Sequence, residues 1–131
     1  MTQINTDKKI ENDISYSIRG VAFNIYNNLG PGLLESVYEA TMSHLLLSEG
    51  RDVKTQIPIP VVFEGVKLDI GFRLDLLVDN EVIVEIKSVE MLLPVHHKQL
   101  LTYLRLTNKK LGLLINFNEV PLKIVRIANN L

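Results

Sequence analysis

The chain has 131 residues, of which 47% are apolar, and it carries a formal net charge of −1 with no cysteine. This length suits one domain with a sizeable core, and the lack of thiols excludes disulfides, zinc–thiolate sites and cysteine nucleophiles. No stretch approaches the ~20 apolar residues of a membrane span, and the polar N-terminus does not look like a signal peptide. We therefore expect a cytoplasmic protein without membrane contact. The near-neutral charge gives no overall basic footprint for nucleic acid, although local patches and metal ions can offset it.

Two helices are predicted in the first part of the chain. Residues 1–9 are expected to form a flexible N-terminus, and residues 10–131 a single domain. A helix of roughly 20 residues should follow, because apolar residues recur at spacings of three and four; they are Ile10, Ile14, Ile18, Val21 and Ile25. A second helix is predicted from about Leu33 to Glu49. Its apolar residues cover two faces, so we expect it to be mostly buried, with His44 in the core.

The chain becomes β-rich after Val53. Strands are predicted over residues 57–63, 66–78 and 81–89, joined by short turns into an antiparallel meander. Two prolines in the first strand favour a place at the sheet edge. Pro94 suits the first turn of a helix that runs to about Thr107, and strands are predicted over residues 111–117 and 122–127.

The predicted element order is ααβββαββ. The helix between the third and fourth strands is long enough to bring those strands together in parallel. We therefore predict an α/β fold of mixed α+β type, with a mixed sheet of about five strands flanked by helices.

Three charged residues stand in the central strands of this meander: Asp75, Glu85 and Lys87. Glu85 and Lys87 share a face, because side chains alternate along a strand. A two-residue turn at Asp79-Asn80 would put Asp75 on the opposite face, whereas a three-residue connection or a bulge would pair it with Glu85. We predict the second register.

Two close carboxylates in an apolar setting repel each other, and a divalent cation relieves that repulsion. Mg²⁺ takes oxygen ligands from one or two carboxylates, and it can activate water and polarise a phosphoryl group. A nearby lysine can stabilise charge that develops on the phosphate. The alternative interpretation is a solvated face, since Glu-x-Lys pairs are common on exposed strands.

This hairpin, with a helix before it and an α–β unit after it, resembles the PD-(D/E)XK nuclease superfamily. In addition, Gly32, Glu35 and Tyr38 match the GxxExxY signature of a family of small bacterial proteins in that superfamily. Gln99 and Tyr103 follow in the expected order, and the resemblance covers residues 10 to 128. Leu74 replaces the proline that usually precedes the first aspartate. The resemblance implies a restriction-endonuclease-like core.

The same resemblance implies a set of roles. Asp75, Glu85 and the backbone carbonyl of Ile86 would hold Mg²⁺ or Mn²⁺, with Glu35 adding a carboxylate. Lys87, with Glu35 and Gln99, would serve catalysis. Substrate contacts would come from Arg73, Tyr103 and, as a weaker candidate, His96. Gly32, Glu35 and Tyr38 form the motif at the start of the second helix.

Each of these residues also has a structural interpretation. Glu35 lies where the helix dipole favours a carboxylate, Tyr38 suits a core aromatic with a bonded hydroxyl, and Gln99 and Tyr103 form an ordinary i, i+4 pair. Arg73 should point the same way as Asp75, where it could contact a phosphate or neutralise the carboxylates.

The resulting hypothesis is a metal-dependent nuclease (a deoxyribonuclease, hence a hydrolase) that acts on DNA. A non-catalytic binding or scaffold module is the alternative, and the apolar content leaves room for a homodimer.

Overall fold

A computed structural model describes the backbone from Gln3 to Leu131 and the side chains of residues 9–68 and 71–131. The element order is ααβββαββ, as predicted. The elements are α1 (Gln3–Leu29), α2 (Glu35–Ser48), β1 (Val53–Phe63), β2 (Val66–Val78), β3 (Val82–Lys87), α3 (Pro94–Thr107), β4 (Leu111–Asn116) and β5 (Lys123–Ala128).

The five strands form one sheet in the order β1-β2-β3-β4-β5. β3 and β4 are parallel, and the other neighbouring pairs are antiparallel. The predicted mixed sheet and the crossover through α3 are therefore confirmed. β1 is an edge strand, which is where its two prolines can be accommodated without the loss of ladder hydrogen bonds inside the sheet.

The helices cover both faces of the sheet. One face packs on α1 and α2 around residues such as Ile18, Met42 and Val84. The other face packs on α3 around Ile83 and Leu104. β3 serves both cores, because its alternate side chains point to opposite faces. The central strand is buried for this reason over nearly its whole length.

Helix α1 is longer than the sequence indicated, because its backbone is already helical at Gln3. Residues 3–9 of the expected flexible terminus are therefore helical, and residues 1 and 2 lie outside the described part of the chain. The predicted stripe is buried from Ile14 to Ile25, whereas Ile10 is exposed. The flexibility of the terminus and the limits of the domain stay predictions.

Helix α2 does not bury two faces, and that expectation was wrong. Its buried residues are Tyr38, Met42 and Leu46, which lie on one face. Val37 and Leu47 are exposed, and so is His44. The spacing of apolar residues cannot show how many faces of a helix find a partner. Here α3 packs on the opposite face of the sheet, so it does not cover the second apolar face of α2.

β1 and β2 form a two-stranded antiparallel ribbon, and this ribbon turns over along its length, so that the face packed on one side of the sheet changes. Val53 and Leu76 pack with the α1–α2 side, whereas Ile57 and Leu74, each an even number of residues away, pack with the α3 side. Residues at such spacing share a face in a regular strand. Both strands therefore rotate between these positions, and the paired register is the same before and after.

No helix within residues 3–131 is long and apolar enough to cross a membrane. A cytoplasmic location stays a prediction from the sequence.

Candidate functional site

The register of the β2–β3 hairpin brings Asp75 and Glu85 together. Val78 pairs with Val82 and Leu76 with Val84, which is the register that a three-residue connection produces. The predicted register is therefore confirmed. The connection is possible because Asp79 and Asn80 adopt positive φ angles of 52° and 57°, and Asp and Asn tolerate this conformation better than most residues.

The two carboxyl groups replace backbone pairing where β2 and β3 separate. The regular pairs end at Leu76 and Val84. Beyond them, the Asp75 amide donates to Glu85 Oε2 at 3.0 Å, and the Ile86 amide donates to Asp75 Oδ2 at 2.8 Å. Each carboxyl group therefore satisfies a backbone donor that the separating strands would otherwise leave unpaired.

Glu85 is a buried carboxyl group with only 4% of its surface exposed. Burial, and then the negative charge of Asp75, raise its pKa to about 9, although the positive charge of Lys87 acts in the opposite direction. Burial also raises the pKa of Tyr103 on α3, with smaller contributions from the charges of Glu85 and then Asp75. The site is therefore a pair of carboxyl groups whose charges act on Tyr103 and which feel the charge of Lys87.

Lys87 lies at the end of β3, where β4 holds the backbone in place. Its carbonyl accepts from the Phe117 amide at 3.0 Å. Next to it, Asn116 is fully buried and bonds both the amide (3.1 Å) and the carbonyl (2.9 Å) of Val89. These bonds fix the chain directly after Lys87. Asn116 was missed by the sequence analysis, although a lone amide after an apolar run was a usable signal.

Tyr38 holds the segment that leads into α2 through hydrogen bonds of its hydroxyl. Its hydroxyl donates to the Gly30 carbonyl at 2.6 Å and accepts from the Leu33 amide at 3.1 Å, and its ring stacks on Phe117 with centroids 4.3 Å apart. The structural interpretation of Tyr38 is therefore confirmed. Gly32 has a φ of 94°, which side-chain-bearing residues rarely adopt.

Glu35 is exposed in the first turn of α2. The Ser88 hydroxyl donates to the Leu33 carbonyl at 2.7 Å, and this bond joins the start of α2 to the end of β3. Among the described side chains, no group of three or more His, Cys, Asp or Glu residues is arranged to hold a metal. Glu35 does not form such a group with Asp75 and Glu85, and its role as a ligand stays a prediction.

A different carboxylate of α2, Glu39, is close enough to the site to feel the negative charge of Asp75. Burial raises the pKa of Glu39 most, the bond from the Gln56 side chain opposes that shift, and the negative charges of Asp75 and then Glu35 add to it. The Gln56 amide donates to Glu39 Oε1 at 2.5 Å. Sequence reasoning missed both residues. The i, i+4 spacing from Glu35 pointed to Glu39, whereas nothing in the sequence pointed to Gln56.

Helix α3 places the remaining candidates. Tyr103 is buried and packs on Phe72, with ring centroids 5.3 Å apart, and Gln99 is half-buried one turn earlier on the same face. His96 Nδ1 accepts from the Leu93 amide at 2.9 Å, so this ring caps the helix. The substrate contacts of these residues stay predictions.

Arg73 lies next to the place where the ribbon turns over, and its orientation towards Asp75 stays a prediction. The ribbon turns over between Leu74 and Leu76, so a spacing of two no longer means a shared face. Arg73 is exposed and donates to the Gln56 carbonyl at 3.3 Å. A phosphate contact by Arg73 stays a prediction.

The donor set suits a hard divalent cation. Mg²⁺ is commonly held by one or two carboxylates together with water and substrate phosphates, and the structure supplies two adjacent carboxyl groups. A cation would also remove the repulsion that raises the pKa of Glu85. Ile86 contributes its amide to Asp75, and the use of its carbonyl as a ligand stays a prediction.

The mixed sheet flanked by helices is consistent with a restriction-endonuclease-like fold. The family model of the PD-(D/E)XK nuclease superfamily matches residues 12–127, and the chain belongs to this superfamily. Its members are usually nucleases. The crystal structure of SSO0001 is similar, with a TM-score of 0.56 and 22% identity. The match covers 74% of this chain and 51% of the SSO0001 chain. This chain therefore spans about half the length of that protein. No curated protein matches the chain.

Proposed function

We propose that this protein is a divalent-metal-dependent nuclease that hydrolyses phosphodiester bonds in DNA. The observation that carries the proposal is the contact between the buried Glu85 carboxyl group and Asp75 at the point where two strands separate. A buried acid beside a second, half-buried acid is costly for a fold, and binding of a cation between them would explain why the protein keeps both.

Asp75 and Glu85 would hold Mg²⁺ or Mn²⁺ in this site. When bound, the ion would supply positive charge that polarises the phosphoryl group and favours ionisation of water. Lys87 lies two residues after Glu85 on the same strand, and its ammonium group would donate to the phosphate oxygens as their negative charge grows. Strand β4 holds the Lys87 backbone, so the flexible side chain extends from a fixed point beside Glu85.

The remaining residues would surround this centre. Tyr103 and Gln99 of α3 would contact the substrate and hold the scissile phosphate, and Arg73 would contact a neighbouring phosphate. We further propose that the chain belongs to the GxxExxY proteins within the superfamily, because Gly32 and Tyr38 build the turn that starts α2. In that interpretation Glu35 adds a carboxylate when metal and DNA are bound.

The test is cleavage of linear, circular and single-stranded DNA with Mg²⁺ or Mn²⁺, compared with EDTA. Asp75→Asn and Glu85→Gln each keep an oxygen that can accept the backbone bond, so they remove charge with little change in shape. We expect both variants to fold and to lose cleavage by about 10²-fold or more. Cleavage that survives in both variants would exclude this site.

A binding module without catalysis is the second candidate, and one observation favours it. Each carboxyl group already accepts a backbone amide, Glu85 from Asp75 and Asp75 from Ile86, so the pair has hydrogen-bond partners without a cation. The discriminating measurement is the unfolding temperature with and without Mn²⁺. A ligand that binds only the native state raises this temperature, so a nuclease should show a shift with Mn²⁺, whereas a module that binds DNA without metal should show a shift with DNA and none with Mn²⁺.

A further inference from the structure

Gln56 has an unusual backbone for a residue inside a strand. Its φ is 50°, in the left-handed region that residues other than glycine, asparagine and aspartate rarely adopt. Such conformations persist only where the surrounding structure imposes them, and they concentrate at functional sites. Here the residue lies within β1 and not in a turn.

The register puts Gln56 opposite Asp75. Thr55 pairs with Leu76 and Ile57 with Leu74, and the position between these pairs is unpaired. This is also where the ribbon turns over, since Val53 and Ile57 pack on opposite sides of the sheet. Neither strand has an extra residue here. The left-handed residue therefore rotates the ribbon without changing its register.

The rotation coincides with the separation of β2 from β3. Pairing of these two strands ends at Leu76 and Val84, directly before Asp75 and Glu85. A ribbon that continued without rotation would keep β2 beside β3, and backbone atoms would pair where the two carboxyl groups now accept their bonds. The freed Ile86 amide, which bonds Asp75 Oδ2 at 2.8 Å, is the direct sign of this separation.

The bonds made by Gln56 support the same role. Its side-chain amide donates to Glu39 on α2, and its carbonyl accepts from Arg73 across the ribbon at 3.3 Å. These contacts tie the turned position to the helix that stands over the site. Gln56 is unpaired in the β1–β2 register, so its left-handed backbone does not break a pair of the ladder.

We propose that Gln56 is a positioning residue, whose left-handed backbone turns the β1–β2 ribbon over and so opens the sheet where Asp75 and Glu85 meet. Its effect on metal binding and cleavage rests on the proposed function. Its effect on the Asp75–Ile86 contact does not, because that contact exists in the protein alone.

The test compares substitutions that differ in their tolerance of a positive φ. Gln56→Gly and Gln56→Asn favour the left-handed conformation, whereas Gln56→Val opposes it because a β-branched side chain rarely adopts it. Gln56→Ala gives an intermediate case. Glu64→Val is the matched control, since Glu64 has a φ of 51° in the turn at the far end of the same ribbon. Both valine substitutions strain a left-handed backbone, but only residue 56 lies opposite Asp75.

Two quantities are measured: the drop in hydrogen-exchange protection of the Ile86 amide that Asp75→Ala causes in each Gln56 background, which reports the bond from Ile86 to Asp75, and Mn²⁺ affinity of the proteins that keep Asp75, by titration calorimetry. We expect Gln56→Val to lower both at least tenfold, and Gln56→Gly, Gln56→Asn and Glu64→Val to leave both within about threefold. If Gln56→Val does not fold, Gln56→Ala must fall below Gln56→Gly in both quantities. The proposal is overturned if the valine or alanine variant matches the wild type, or if Asp75→Ala no longer lowers the Ile86 protection in the glycine variant.

Failure of the proposed function is distinguishable from failure of this inference. If the wild-type protein neither binds Mn²⁺ nor cleaves DNA, the proposed function fails, and the effect of Asp75→Ala on the Ile86 protection alone decides the role of Gln56. If the wild type binds and cleaves but all the Gln56 variants behave alike, only the positioning role fails.

Discussion

The two halves of β3 differ in their neighbours and in their chemistry. Residues 82–84 pair with β2 on one side and β4 on the other, and all three are buried aliphatic residues. Residues 85–87 pair with β4 alone, and they carry Glu85 and Lys87. One six-residue strand thus passes from the core to the candidate site.

This difference shows how a small domain can place charge at its centre. The first half fixes the strand through packing on both faces, so that the second half can give up one neighbour. The side chains of Asp75 and Glu85 then take the hydrogen bonds that the lost neighbour would have made. Changes in the first half should therefore alter stability, and changes in the second half should alter function.

The largest expected effect is the loss of cleavage in Lys87→Met. The variant keeps the aliphatic stem and removes the charge that would stabilise the phosphate, so we expect the cleavage rate to fall by about 10²–10³-fold with little change in unfolding temperature. Lys54→Met, which alters an exposed lysine of β1, is the control and should cleave normally. Equal losses in both variants would point to a general role of positive charge.

In the first half, Ile83→Ala should mainly reduce stability. Ile83 is fully buried between the sheet and α3, and truncation of such a residue costs about 2–5 kcal/mol because it leaves a cavity. Urea unfolding measures this loss. Cleavage below the unfolding transition should stay close to wild type, and a loss of activity as large as that of Lys87→Met would show that the two halves are not independent.

The third prediction concerns pH and Glu85. The folded-state pKa of Glu85 is raised to about 9, from an ordinary value of 4.5, by burial first and the charge of Asp75 second. Between these pH values the native state holds one proton more than the unfolded state, so the free energy of unfolding falls as pH rises. The contribution is complete below pH 4.5 and is lost as pH rises through about 9. The slope is at most about 1.4 kcal/mol per pH unit.

Glu85→Gln should remove this dependence, because the amide does not titrate. Urea unfolding of both proteins in EDTA at several pH values between 5 and 9 provides the measurement. We expect the variant to gain stability relative to the wild type as pH increases. Parallel curves would show that Glu85 is already ionised in the native protein at neutral pH.

The smallest expected effect is that of Tyr38→Phe. The substitution keeps the stack on Phe117 and removes the hydroxyl that bonds Gly30 and Leu33, which should cost about 1–2 kcal/mol. Tyr16→Phe is the control, since that tyrosine of α1 is 81% exposed and should be neutral. Loss of cleavage in a well-folded Tyr38→Phe would give Tyr38 a direct part in catalysis.

Local signals in the sequence were sufficient for the elements and their order. The apolar spacing in α1, Pro94 at the start of α3 and the alternation in β3 each depend on short-range physics, which a single chain segment displays. The α/β class and the parallel β3–β4 pair follow from the order of the elements. The candidate residues Asp75, Glu85 and Lys87 could be recognised because charged residues are costly in apolar strands.

Only the tertiary structure decided how those residues meet. The sequence left two registers open for Asp75, and the positive φ angles at Asp79 and Asn80 select one. The positive φ of Gln56, at the place where the ribbon turns over, has no local signal, because glutamine is not a residue that favours a positive φ. The same holds for His44, whose exposure depends on which face of α2 finds a partner. The sequence by itself determined the elements and the candidate residues, whereas the packing of distant elements determined the geometry in which those candidates meet.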